Sequence, residues 1–287
     1  MNSFMKVAPL MTAGLVLYGC SDDPSTPSEP AMPVDGPSWV TFGTPDPGHP
    51  YVGTLLFAQN GVAYFSCTGT LLSPTVMLTA GHCTESEGST NDVTYVRFTQ
   101  DALAGIENYP TTQAWLDAEW ILAERVIPHP QFDDFAEFPN TYDVGLVILS
   151  QPVNLDTYGA LPEIGLLDRL TSGRGHRDAV FTAVGYGLQG LIKPLFSDVY
   201  ARYQTTTRLV EVKSTITGPG QSAKFTNNPG RIPGGTCFGD SGGPILWGTS
   251  NIIGAITSFG RTPCIGVDFN FRIDTELAQD FISQYLN

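Results

Sequence analysis

Short runs rich in β-branched and apolar residues recur along this chain, at Tyr51–Ala58, Thr94–Phe98, Val144–Leu149, Val180–Gly185, Arg208–Val212 and Ile252–Phe259, with glycine, proline and asparagine between them. Runs of this length bounded by turn formers read as strands. Thr70–Leu78 reads as a further strand broken by a turn at Pro74. Strands spaced this evenly favour an all-β barrel or sandwich. About 250 residues follow the N-terminal segment, long enough for two packed halves.

The N-terminal segment has a different composition. Lys6 precedes an apolar stretch from Val7 to Tyr18, too short to cross a bilayer as a helix but suited to an export signal. It ends in Gly19-Cys20 and resembles a bacterial lipoprotein signal, in which the cysteine is lipidated and becomes the first mature residue. Tyr18 departs from the small residue usual there, and an ordinary cleaved secretion signal stands as the alternative. Residues from Ser21 to Pro37 are rich in proline, serine and aspartate and bury too little apolar surface to fold. They read as a tether or a propeptide. The expected organisation is a signal over 1–19, a tether over 20–38 and one folded domain over 39–287. The resulting protein would be exported: a cell-envelope lipoprotein held to a membrane only through Cys20, or a secreted protein if Cys20 is not lipidated.

Within the folded domain, Cys237-Phe238-Gly239-Asp240-Ser241-Gly242-Gly243-Pro244 carries the clearest chemistry. A serine flanked by an acid and glycines on a tight loop is either a surface turn or a positioned nucleophile. A serine hydroxyl needs a base to take its proton and backbone N–H donors to hold the oxyanion that forms. Thr79-Ala80-Gly81-His82-Cys83 supplies a histidine where a strand ends. Asp143 opens the apolar run Val144–Leu149 and is either a turn residue or a buried acid that orients a histidine. The order along the chain is His82, Asp143, Ser241.

With these three blocks the chain resembles a trypsin/chymotrypsin-type serine protease over roughly residues 40 to 287. The resemblance implies two six-stranded antiparallel barrels, the first over about 40–160 and the second over about 176–273, with the site between them. It implies an oxyanion hole from the N–H groups of Gly239 and Ser241, and disulfides Cys67–Cys83 and Cys237–Cys264, which agree with an oxidising compartment. It places the base of the substrate pocket at Gly235, with Thr236 also in the pocket, and its wall at Ser258, Phe259 and Gly260. Gly235 stands where trypsin-like members carry an aspartate. Asp268 is then either a relocated pocket acid, which would favour basic residues before the cut, or a loop residue. Activation in such enzymes follows cleavage before an Ile-Val-Gly-Gly segment. Here Val40-Thr41-Phe42-Gly43 follows Trp39, so the partner of Asp240 is open.

A C-terminal helix over 274–286 is expected, with Asp274 as N-cap and Leu277, Phe281 and Tyr285 on one face. His49, His129 and His176 lack ligand spacing and read as surface or turn residues; no metal or organic cofactor is called for. With 28 acidic against 14 basic residues the net charge is −14, which argues against nucleic-acid binding. The expected activity is a serine endopeptidase acting as a monomer on protein or peptide substrates. A catalytically silent protease-fold binding protein, or an esterase using the same three residues, stands beside it.

Overall fold

A computed structural model describes residues 43–59, 62–84, 92–133, 141–172, 179–188, 200–213, 220–227, 234–260 and 264–286. Cys20, Val40 and His176, and the signal and tether, lie outside them. No described helix is long and apolar enough to cross a membrane.

The first barrel is closed by six antiparallel strands, β2 (Val52–Gln59), β3 (Val62–Leu71), β4 (Val76–Thr79), β5 (Asp92–Arg97), β6 (Ile121–Pro128) and β7 (Gly145–Leu149), paired in the ring order β2-β3-β4-β7-β6-β5. The second comprises β8 (Val180–Gly185), β9 (Tyr203–Glu211), β10 (Ser222–Asn227), β11 (Pro244–Trp247), β12 (Ile253–Gly260) and β13 (Gly266–Arg272). Its sheet runs β9-β10-β13-β12-β11-β8, and pairing of β8 with β9 closes it. The two-barrel expectation is borne out. A two-residue strand, β1 (Thr44–Pro45), pairs with β9, so the start of the described domain belongs to the second sheet, whereas the sequence reading put it in the first barrel.

Alternation explains the second barrel. Along β9, Thr205, Thr207 and Leu209 turn inward between more exposed neighbours. The strand β7 is buried on both faces, as its unbroken apolar run requires. Leu55, Leu71, Met77, Leu78, Leu146 and Val147 fill the first core, while Phe181, Leu209, Phe225 and Ile245 fill the second. Each such side chain is worth about 1.5–3 kcal/mol of burial.

Among the described residues three α-helices accompany the strands: α1 (Thr112–Glu119), α2 (Leu166–Thr171) and α3 (Glu276–Ser283). Helix α3 docks on the first core through Phe281, with Leu277 and Tyr285 beside it. Its N-cap is Thr275, whose hydroxyl accepts the Ala278 N–H at 3.2 Å, one residue later than expected. Asp274 is instead spent on tertiary contacts, accepting the Leu167 N–H at 2.7 Å and the Arg272 guanidinium at 2.8 Å. His129 is also a correction. It is buried, stacked on Tyr142 and edge-on to Phe281, and burial pushes its pKa down.

Candidate active site

His82 sits in a single 3₁₀ turn, Gly81–Cys83, directly after β4. Its Nδ1 lies 3.0 Å from each carboxylate oxygen of Asp143, and its backbone N–H donates to Oδ1 at 2.9 Å. Asp143 is just ahead of β7, the strand paired with β4, so the register of two neighbouring strands brings acid and imidazole together. A carboxylate on Nδ1 holds the proton there and leaves Nε2 unprotonated, the form in which an imidazole acts as a base. Ser258 donates its hydroxyl to Asp143 Oδ2, so that side chain is turned to the acid. Burial pushes the Asp143 pKa up, but the His82 ring and the donors from His82 and Ser258 outweigh it and hold the acid below its ordinary value.

The Ser241 loop is fastened to the first barrel largely through Thr68 on β3. The Thr68 N–H donates to Ser241 O at 2.8 Å, and its hydroxyl donates to Gly239 O at 2.8 Å while accepting the Tyr186 N–H at 3.1 Å. Thr79, three residues before His82, donates its hydroxyl to Thr68 O. One buried threonine thus couples the serine loop to the histidine segment, and no sequence motif marked it. Gly242 packs so closely on Thr79 and Ala80, with φ at +79°, that a side chain has no room. Gly239 has φ at +97°, and neither its N–H nor that of Ser241 has an acceptor among the described residues. Two backbone donors beside one hydroxyl are what an oxyanion needs.

Asp240 is buried, with Oδ1 accepting the Gly187 N–H and Oδ2 the Cys237 N–H, each at 2.8 Å. No cation reaches it among the described residues. Burial pushes its pKa up to about 7 against these two donors, and the charge of Asp268 adds to the rise.

The disulfides Cys67–Cys83 and Cys237–Cys264 are both formed, as expected. Cys67, His82 and Cys83 lie close enough to resemble a metal cluster, but both sulfurs are committed to each other and offer no thiolate.

Gly235, Thr236, Gly260 and Asp268 are brought together. Asp268 lies within β13, paired with Gly260, and is buried rather than in a loop. Its Oδ1 accepts from Asn227 and its Oδ2 accepts the Thr236 N–H and hydroxyl, at 2.7–2.9 Å. Burial raises its pKa in spite of these donors. The space a side chain at Gly235 would enter is filled by Asn227, a residue the sequence reading passed over. Phe259 stacks on Phe269 at 5.2 Å, stiffening the wall.

Comparison with known proteins agrees with this geometry. The chain is 27% identical over 224 residues to mast cell protease 2 of Meriones unguiculatus, covering 74% of this chain and 76% of that one. It is 26% identical over 216 residues to CLIP domain-containing serine protease B8 of Anopheles gambiae, covering 69% of this chain and 52% of that one, so it spans about half that relative's length. The solved structure of HL collagenase shares the fold, with a TM-score of 0.59 at 19% identity, covering 87% of this chain and 96% of that one. The trypsin family model matches residues 40–282, and the chain belongs to the trypsin family.

Proposed function

We propose that this protein is a serine endopeptidase. Ser241 attacks the peptide carbonyl, His82 takes the proton and returns it to the leaving amine, and Asp143 holds the imidazole tautomer. The Gly239 and Ser241 N–H groups receive the oxyanion. The observation that carries this reading is the His82 Nδ1 contact to both Asp143 oxygens, beside a serine loop pinned to the same strands. A fluorophosphonate probe should label the mature protein at Ser241 and fail to label Ser241→Ala. Absence of label on a folded wild-type protein would favour a silent binding protein. Hydrolysis of simple esters without peptides would favour an esterase.

Asp268 is the proposed selector for a basic residue before the cut, supported by its place beside Thr236 and Gly260. A peptide-library profile dominated by apolar residues at that position would overturn the preference. Cleavage before Val40, with the new amine reaching Asp240, is the proposed activation step. N-terminal sequencing of active protein starting at Cys20 would rule it out. Lipidation at Cys20, anchoring an envelope protein, is tested by palmitate incorporation lost in Cys20→Ala.

A further inference from the structure

The backbone N–H groups of Tyr186, Gly187 and Leu188, three residues in a row, are all given to the Ser241 loop or to the threonine that fastens it. Tyr186 donates to the Thr68 hydroxyl at 3.1 Å, Gly187 to Asp240 Oδ1 at 2.8 Å and Leu188 to Phe238 O at 2.7 Å. Where this short segment sits therefore sets where the loop sits. Strand pairing of β8 ends at Gly185, so the ladder does not hold the segment beyond that point.

The segment is held instead through the side chain of Tyr186, which is buried. Its hydroxyl donates to Thr99 O at 2.7 Å and accepts from Arg202 Nη1 at 3.1 Å. A buried hydroxyl with both roles filled keeps its ring in one place. Arg202 is buried too, and stands one residue before β9. Its Nη1 also donates to Val52 O at 3.1 Å on β2 and to Phe98 O at 2.9 Å just past β5. Its Nε donates to Asp46 O at 3.1 Å and lies 3.3 Å from Asp46 Oδ2. The carboxylate of the buried Asp46 offsets a charge that would be costly there alone. One rigid guanidinium thus joins the residue after β1, two strands' ends in the first barrel and the side chain that carries the row of N–H donors. No motif in the sequence marks it.

We propose that Arg202 is a positioning residue for Ser241: braced by Asp46 and the first barrel, it fixes the Tyr186 hydroxyl and with it the N–H groups on which Thr68, Asp240 and Phe238 rest. This rests on the protease reading. Arg202 acts through Tyr186 and the loop rather than on the reacting atoms.

Two variants of the mature protein test it. Tyr186→Phe deletes the hydroxyl and keeps the ring, and Arg202→Lys keeps a charge near Asp46 but has one nitrogen for the work of two. The time course of fluorophosphonate labelling separates how much protein is competent from how fast each competent serine reacts. In both variants the final amount of label should equal that of the wild type, while the labelling rate constant falls about tenfold. A misplacement of about 1 Å can cost about a hundredfold, so tenfold corresponds to a smaller shift. For a peptide substrate kcat should fall by the same factor, with KM unchanged. A role confined to stability gives the opposite pattern, a smaller labelled fraction and a lower melting temperature at an unchanged rate constant, and would overturn the proposal. Variants that label as fast and as fully as the wild type would overturn it as well, leaving the protease reading standing. Should Arg202→Lys fail to fold, Tyr186→Phe decides alone. A folded wild-type protein that takes no label would overturn both readings.

Discussion

Asp143 and Asp240 are comparably shut off from solvent, at 4% and 1% exposure, yet their pKa values move in opposite directions. Asp143 faces an imidazole and a hydroxyl, and the ring is a group that gains charge when it takes a proton. Asp240 faces only two amide dipoles, and a like charge at Asp268 works against it. Burial alone therefore does not set the state of a carboxylate; the charge its neighbours can carry does. On the proposed reading, the first acid would stabilise a transient cation and the second would await a permanent one.

The sharpest way to break this comparison is Asp143→Asn, which keeps the shape but favours the wrong imidazole tautomer. A fall in kcat of about 10⁴-fold is expected, as when the orienting acid of such a triad is replaced, with little loss of melting temperature. Asp240→Ala should act on the fold as well, because it strands two buried N–H donors at about 1–3 kcal/mol each. Urea unfolding of the inactive Ser241→Ala background would measure it without self-digestion. Ser258→Ala removes one donor from Asp143 and should lower kcat about tenfold with KM nearly unchanged, the size of one hydrogen bond to a charged group. An equal change in KM would assign Ser258 to the pocket wall instead.

The smallest effect is a slope. Between its ordinary value of 3.8 and about 7, folded Asp240 keeps a proton that the unfolded chain has released. The folded state binds more protons there, so this group's contribution to stability falls as pH rises through that window and levels off above it. Asp143 behaves oppositely. Its contribution is present above the ordinary carboxylate value and is lost as pH falls through its lowered one. Urea midpoints measured from pH 4 to 8 should show the Asp240 slope in the Ser241→Ala protein and a flatter line once Asp240→Asn is added. Parallel lines would mean that Asp240 is already ionised, with a cation beside it.

Much of the fold was legible because strands announce themselves locally. Val180–Gly185 forms strand β8 with those very bounds, and the runs around Tyr51, Thr94 and Ile252 lie within a residue or two of theirs. Helix α1 was not legible, since eight residues with Trp115 and Leu116 buried carry too little periodic pattern to separate from a loop. His129 looked like a turn residue because proline flanks it. Its burial comes from Tyr142 and Phe281, both distant in the chain.

Ser241, His82 and Asp143 stood out from sequence alone, because each sits in a local pattern of small residues, turn formers or an apolar strand that its chemistry requires. Thr68, Asn227 and the inward turn of Ser258 emerged only with the tertiary structure, because a lone polar residue in a strand carries no local mark of which distant backbone it will hold. The burial of Asp268 against Thr236 was likewise decided by the pairing of β13 with its neighbours, since a carboxylate's environment is set by strands that meet only after folding.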